Sequence, residues 1–465
     1  MAQDYLTPEA HRENATTLAA ALGLTLDSAS KALELHVTVT ADPSDSVADF
    51  VAAQVCALLC RTVRQVSRTL TGPTTDCELI IGAADFRTSA SKVFVGVKDD
   101  RAIIGQDRQA QPKSDPIPQI FGLLAACYAC AATIYRATGS RLPFAPTDPF
   151  VLRFAELGID RSELSKPIEL NHTYMAGAGA IGNGLLWAAQ YLDVRGQLDI
   201  VDDDYVSAGN LNRQIWFGSD DVGKLKVDRL VSLAQPHFPK LTLIPRASRL
   251  QQLPEKSSGP WLKRLIVAVD SRRARRALQN EFPGEVFDAS TTDIREIVLH
   301  HHAEPTAHAC LSCIYEPDSD EFTRERHIAD HLGVGLDDVR SERISQRAAS
   351  IIVNRFPSIE PNAIIGTAYD SLFKQLCSEG ALGKIDDKRV VAPFAFISVL
   401  AGALLALELV RRLNGGMHDQ DFNCWHISPW YPPLPRKRVL RSRQPGCTFC
   451  GQPILASVNA ALWAR

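Results

Sequence analysis

The sequence predicts an α/β protein: a doubly wound parallel sheet over residues 149–465, preceded by a smaller α/β layer over residues 1–148. Three observations predict it. Met175-Ala176-Gly177-Ala178-Gly179-Ala180-Ile181-Gly182 is a Gly-x-Gly-x-x-Gly turn, followed by a helix-like run (Leu185 to Leu192) and an apolar strand, Leu198-Asp199-Ile200-Val201, that ends in Asp202. Strand, glycine turn, helix and strand in that order open a Rossmann-like sheet. Leu265-Ile266-Val267-Ala268-Val269 is a second buried-strand pattern ending in a carboxylate, Asp270. Helical and strand patterns also alternate through the first 148 residues, without such a turn, which suits a separate α/β layer.

The elements follow in order. A helix-like start leads to a strand-like Leu33 to Val39 and a helical run from Val47 to Leu70. Strands at Glu78-Leu79-Ile80-Ile81 and Val93-Phe94-Val95-Gly96-Val97 come next. Pro116 to Tyr135 and Val390 to Leu407 are uncharged, and each is close to the about 20 residues that a bilayer span needs. Both are rich in Ala and Gly and end near arginine (Arg136; Arg411, Arg412), so they read as helices buried on all sides rather than as spans. The two also resemble each other, one leading to Arg136-Ala137-Thr138-Gly139 and the other to Arg412-Leu413-Asn414-Gly415. Such a weak repeat suggests a duplicated fold. A Pro-rich join, Leu142 to Pro149, marks the domain boundary. Cys56, Cys60, Cys127 and Cys130 fall on the apolar helices and read as core thiols.

A chain of 465 residues with 45% hydrophobic content supports two or more domains with well-formed cores. Its net charge of −3 gives no bulk attraction to nucleic acid or anionic lipid. Met1-Ala2-Gln3-Asp4 lacks the basic and apolar regions of a signal peptide, so the expectation is a cytoplasmic chain. In that compartment its 11 cysteines serve as thiols and metal ligands before disulfides.

The chemistry starts at the glycine turn. Gly177, Gly179 and Gly182 let the backbone approach a phosphate while the first N–H groups of the helix point at it. Asp202 can take ribose hydroxyls. Alone, this would suit NAD or FAD as well as ATP. Downstream come Asp202-Asp203-Asp204-Tyr205-Val206, Asn210-Leu211-Asn212-Arg213-Gln214 and Gly223-Lys224-Leu225-Lys226. A dinucleotide needs no cations beyond the second strand, whereas a triphosphate does. Arg213 offers a planar fork for two phosphate oxygens, and Lys226 a point charge. Asp270 is a hard oxygen ligand that suits Mg2+ between phosphates. The pattern describes an ATP site rather than a hydride-transfer site.

These motifs, in this order, resemble the ubiquitin-activating (E1-like) adenylyltransferases, including the bacterial enzymes that activate sulfur-carrier proteins. The likeness runs from about Phe150 to Gly451. It implies a doubly wound adenylation domain in which Asp202 holds the ribose, Asn210, Arg213 and Lys226 the phosphates, and Asp270 the metal. Asp204 and Gln214 carry over less directly. Residues 1–148 then read as a degenerate, inactive adenylation-like domain that pairs with the active one. An unrelated α/β domain that docks the partner is the alternative. An arginine reaching the triphosphate from outside the nucleotide fold is a further family feature, for which Arg153, Arg136 and Arg161 are candidates.

Cys310-Leu311-Ser312-Cys313 and Cys447-Thr448-Phe449-Cys450 are two Cys-x-x-Cys knuckles. Two such pairs close a sulfur tetrahedron around one structural Zn2+. His300, His301, His302 and His308 are left as exposed or substrate-loop residues. Of the two further cysteines in the second half, Cys424 lies in a strand-like, buried pattern. Cys377 stands in a polar, Gly-containing segment, Gln375 to Leu382, resembling the crossover loop in which E1-like enzymes carry a thioester cysteine. The resemblance implies ATP-dependent activation of the C-terminal glycine of a ubiquitin-like protein, thioester formation on Cys377 and transfer to an E2-like partner. The arrangement looks like bacterial E1 proteins of conjugation operons associated with antiphage defence. An adenylyltransferase for a sulfur carrier in molybdopterin or thiamine synthesis is the alternative, and a non-catalytic nucleotide-binding scaffold is another. Two adenylation-like folds in one chain satisfy the usual pairing internally and leave homodimer formation open.

Overall fold

The alternation in the first 148 residues folds as a six-stranded sheet. Its strands are β1 (His36–Ala41), β2 (Gln65–Ser67), β3 (Cys77–Ile81), β4 (Ser91–Val97), β5 (Arg101–Gly105) and β6 (Phe150–Arg153). They lie in the order β2-β1-β3-β4-β5-β6, with β1 to β4 mutually parallel and β5 and β6 antiparallel. The structure, a computed structural model, describes residues 5–68, 75–106, 114–139, 141–142, 149–292, 294–317, 319–341, 344–365, 367, 369, 372–373, 376, 392–414 and 421–464. The strand β6 lies beyond the Pro-rich join, yet it edges the first sheet.

The second sheet has eight strands: β7 (Ile168–Ala176), β8 (Val194–Val201), β9 (Leu241–Arg246), β10 (Arg264–Val267), β11 (Glu285–Thr292), β12 (Glu296–Ala303), β13 (Cys424–Ile427) and β14 (Arg438–Val439). Their order is β14-β13-β12-β11-β10-β7-β8-β9. Strands β7 to β11 are parallel and the last three run antiparallel. Read from β9, the parallel part is a doubly wound sheet whose order reverses between β7 and β10. A crevice outside the carboxyl ends of these strands is where such sheets bind ligands. The first sheet repeats the plan in shortened form.

Both long apolar stretches are helices, Gln119–Ala137 and Ala395–Leu413. The first is long and apolar enough to cross a membrane, but its residues from Ile120 to Ile134 are buried within the fold. Each packs on the helix that follows the first strand of its own sheet, Ser46–Leu59 after β1 or Ala180–Ala189 after β7, and the two long helices pack on one another. The second pair meets backbone to backbone, since a Cβ on Gly402 would stand 2.1 Å from the carbonyl carbon of Gly184. The helical run expected to reach Leu70 stops at Leu59. The chain turns there to supply β2, because the Cys60 to Val63 amides bond back to carbonyls of the last helical turn.

Two compact units result, Met1–Ile314 with Val391–Arg465, and Tyr315–Val390. The latter carries the helices Ser319–Leu332, Leu336–Arg340, Gln346–Arg355 and Pro361–Ile364. They share a separate apolar core that includes Ile328, Leu332, Ile344, Ala348 and Ile352. Apart from Leu376, the segment Gln375 to Leu382, expected as a crossover loop, lies outside the described residues, and the sequence expectation did not include the helices that precede it in the chain.

Candidate active site

The turn that leaves β7 requires its glycines. Gly177 has φ +105°, and a Cβ there would lie 2.6 Å from the Ala268 carbonyl oxygen. A Cβ on Gly182 would lie 2.3 Å from the Gly177 oxygen. Gly179 differs, with nothing within 4 Å of where its Cβ would stand. It also precedes the first residue of the Ala180–Ala189 helix. Open space over helical N–H groups fits a phosphate.

Asp202 closes the turn from the end of β8. Its Oδ2 accepts the Ala178 N–H (2.7 Å) and its Oδ1 the Asp204 N–H (2.8 Å). Burial pushes the Asp202 carboxyl up from its usual range, and Lys226 opposes the shift. Lys226, at the start of the Lys226–Ala234 helix, reaches Asp204 Oδ2 at 3.0 Å. Burial alone would draw the proton off Lys226, but Asp202, Asp204 and Asp270 outweigh it and hold the ammonium charged. Arg213 Nη1 donates to Asn212 Oδ1 (2.7 Å) and to the Gly209 carbonyl (3.3 Å). Burial lowers its pKa, with Glu13 and Asp270 pulling the other way. Asn210 Oδ1 accepts the Ser207 N–H and stiffens the Ala208–Asn212 turn. Gln214 is buried, and its Oε1 has no hydrogen-bond partner among the described residues. The structure therefore gathers the glycine turn, Asp202, Asp204, Lys226, Arg213 and Asp270 at the carboxyl edge of the sheet.

The corresponding corner of the first sheet is closed. After β1, Asp45 caps the Ser46–Leu59 helix, its Oδ1 accepting the Ala48 N–H (3.0 Å) and its Oδ2 the Ser114 N–H (2.7 Å). A side-chain carboxylate from the chain itself thus occupies that helix N-terminus.

The four knuckle cysteines converge as expected. Sγ separations are 3.8 Å for Cys310–Cys313, 3.7 Å for Cys310–Cys447 and 3.3 Å for Cys313–Cys450. A tetrahedral Zn2+ with bonds of about 2.3 Å spaces its sulfurs about 3.8 Å apart. The Gln444 and Phe449 amides donate to the sulfurs of Cys313 and Cys447 (3.3 and 3.5 Å), as suits thiolates. This donor set can hold one zinc ion.

Other expectations change. His300, His301 and His302 lie on β12 and are buried, at 1%, 4% and 0% exposure, so they are not loop residues. The alternation of a β-strand had been hidden by three identical residues in a row. Cys424 is buried on β13, its thiol pushed up to about 11 by burial. The core thiols Cys127 and Cys130 are fully buried and Cys56 and Cys60 partly so. Arg153 lies on β6 opposite Arg101, Arg161 pairs with Asp99, and Arg136 ends the Gln119–Ala137 helix. Cys377 lies outside the described residues.

Sequence reasoning missed the contribution of the first half to this site. Thr7 Oγ1 donates to the Ala208 carbonyl, Asn14 bonds to Asn212, and Arg61 reaches Leu211, Ile215 and Phe217. The available signals were a polar Asn14 and Thr17 within an apolar helix face and an arginine directly behind an apolar run.

A family model described as the ThiF family matches residues 155–449. The chain belongs to the ThiF family. The E1 N-terminal domain model matches residues 8–160, immediately ahead of the ThiF region. An uncharacterized protein, y4jF, of Sinorhizobium fredii is 27% identical over 84% of this chain and 78% of its own length. Ubiquitin-like modifier-activating enzyme 7 of Homo sapiens is 30% identical over 26% of this chain and 13% of its own. Ubiquitin-activating enzyme E1 1 of Schizosaccharomyces pombe is 34% identical over 19% of this chain and 9% of its own. This chain spans only a small part of the length of those two enzymes. ThiF proteins bind ATP with Mg2+, and membership makes this chain an E1-like enzyme of adenylyltransferase type.

Proposed function

We propose that this ThiF protein activates the C-terminal glycine of a ubiquitin-like protein and passes it, as a thioester on Cys377, to an E2-like partner. The observation that carries this is that Lys226 and Arg213 both feel the Asp270 carboxylate, at the same edge of the sheet as the open glycine turn. Two cations and a strand-end carboxylate near an open glycine turn suit a triphosphate and its metal better than a dinucleotide. Asp202 keeps acceptor capacity for ribose hydroxyls, and Asp270 offers an oxygen to Mg2+, which would offset charge on the phosphates.

In this reading a carrier carboxylate oxygen attacks the α-phosphorus, the bond to the β-phosphate oxygen breaks, and pyrophosphate leaves. Lys226 and Arg213 stabilise the charge that gathers on the phosphate oxygens. The Cys377 thiolate then attacks the acyl carbon and AMP leaves. The ubiquitin-activating relatives support the choice of a ubiquitin-like carrier, and the E1 N-terminal domain match supports an internal pairing of two related halves. A place in a bacterial conjugation pathway of antiphage defence is part of the same reading.

The test is incubation with ATP, Mg2+ and a candidate ubiquitin-like protein, read by ATP–pyrophosphate exchange and a non-reducing gel. Carrier-dependent exchange and a thiol-sensitive adduct that disappears in Cys377→Ala are expected. Exchange without any adduct would return the protein to sulfur-carrier activation. No exchange with any carrier would leave only a nucleotide-binding scaffold.

A further inference from the structure

Arg61 stands where a guanidinium is least expected, one turn behind the apolar Ser46–Leu59 helix. It is 2% exposed. Its Nη1 donates to the Leu211 carbonyl (2.7 Å), and its Nη2 donates to those of Ile215 (2.7 Å) and Phe217 (2.8 Å). The Tyr5 ring lies against it, 4.4 Å from centroid to guanidinium carbon. These three carbonyls bracket Arg213.

A second route reaches Arg213 through side chains. The Arg61 carbonyl accepts from Asn14 Nδ2 (2.7 Å), Asn14 Oδ1 accepts from Asn212 Nδ2 (3.0 Å), and Asn212 Oδ1 accepts from Arg213 Nη1 (2.7 Å). Asn14 and Asn212 are both wholly buried. Two different segments of the first half therefore grip one loop of the second. Glu13, beside Asn14, adds its field at Arg213, and its side chain lies 3.3 Å from where a Gly209 Cβ would stand.

The arrangement is costly for the fold. The hydrogen bonds of this buried cation go to neutral carbonyls, and burial draws its pKa down to about 10. A well-packed apolar side chain commonly serves stability as well or better. What an apolar residue cannot do is fix three carbonyls at once.

We infer that Arg61 is a positioning residue of the adenylation site: with Asn14 it fixes residues 211–217 so that Arg213 meets the phosphates. The first half then has a task of its own, apart from docking a carrier. The inference rests on the adenylation reading, and its test separates the two.

The full-length chain is compared with Arg61→Met, Arg61→Lys and Asn14→Ala, each checked by its melting transition. In carrier-dependent ATP–pyrophosphate exchange, Arg61→Met should lower kcat about a hundredfold, the scale of a 1 Å misplacement. Arg61→Lys, which reaches fewer carbonyls, should restore part of it. In an Arg213→Ala background, Arg61→Met should add no further loss. A folded Arg61→Met with wild-type kcat, or a loss that adds in full to that of Arg213→Ala, overturns the inference. Amide hydrogen exchange over residues 211–217 needs no activity: it should quicken in Arg61→Met and Asn14→Ala, and unchanged protection also overturns the inference. If wild type exchanges no pyrophosphate, the adenylation reading fails while the amide measurement still decides the clamp. Should Arg61→Met not fold, Asn14→Ala carries both comparisons.

Discussion

Replacing Lys226 by methionine separates its two roles, because they differ in size. Its ammonium sits 3.0 Å from Asp204, whose side chain is 39% exposed. Water screens a pair of that exposure, so losing it should cost about 1 kcal/mol of stability or less. In the proposed reaction the same charge faces phosphate oxygens. Loss of one such group typically costs about 3 kcal/mol, or about a hundredfold in rate. A third effect follows from Asp202. Burial already raises its carboxyl, and Lys226 is the group that most opposes the rise, while Asp204 adds to it. Without Lys226 the carboxyl rises further and takes a proton at a higher pH. The acid limb of the pH profile for ATP–pyrophosphate exchange should therefore move toward neutrality in Lys226→Met, with the melting temperature nearly unchanged. A variant that loses the hundredfold while its acid limb stays put would refute the electrostatic link. A variant with full activity would refute the role of Lys226 altogether.

Other outcomes follow from the same geometry. Gly179→Ala meets no neighbour within 4 Å, so it should melt like wild type but bind ATP weakly in a nucleotide-binding titration. Gly182→Ala puts a Cβ 2.3 Å from a backbone oxygen and should lower the melting temperature as well. Purified protein should carry one zinc per chain by elemental analysis, and Cys310→Ser or chelation should strip it and destabilise the Cys447–Cys450 segment. Asp45→Ala should cost about 1 kcal/mol in a denaturant titration, as loss of a helix cap. Burial works against Asp45 ionising, but the Ala48 and Ser114 bonds prevail and set its pKa below the usual 3.8. Its contribution is therefore present above that value and lost as pH falls through the lowered pKa, so wild type and Asp45→Ala should converge in strong acid.

The crevice was legible because each of its parts is tied to a local rule. A strand must end before Asp202 and Asp270 can sit at its edge, and a Gly-x-Gly-x-x-Gly turn has few other uses. The knuckles were legible from spacing alone. Partners were not. Nothing near Arg61 in the chain names Leu211, Ile215 and Phe217, which lie 150 to 156 residues away. His300 to His302 misled because polarity outweighed the alternation that puts β12 between β11 and β13. The helices from Ser319 to Ile364 escaped notice because their apolar positions serve a small core of their own and form no long run. The strand β6 joins the first sheet although it follows the Pro-rich join, because prolines mark where a chain turns, not which sheet it joins afterwards.

The knuckle fastens positions 137 residues apart, and both the helical insertion and the long buried helix leave and return between its halves. With zinc in place, that whole excursion is a closed ring of chain. A protease nick within it would leave two fragments joined by the metal as well as by the pairing of β12 with β13. The same closure means the excursion can lengthen, shrink or be exchanged over evolutionary time while the ends it springs from stay anchored.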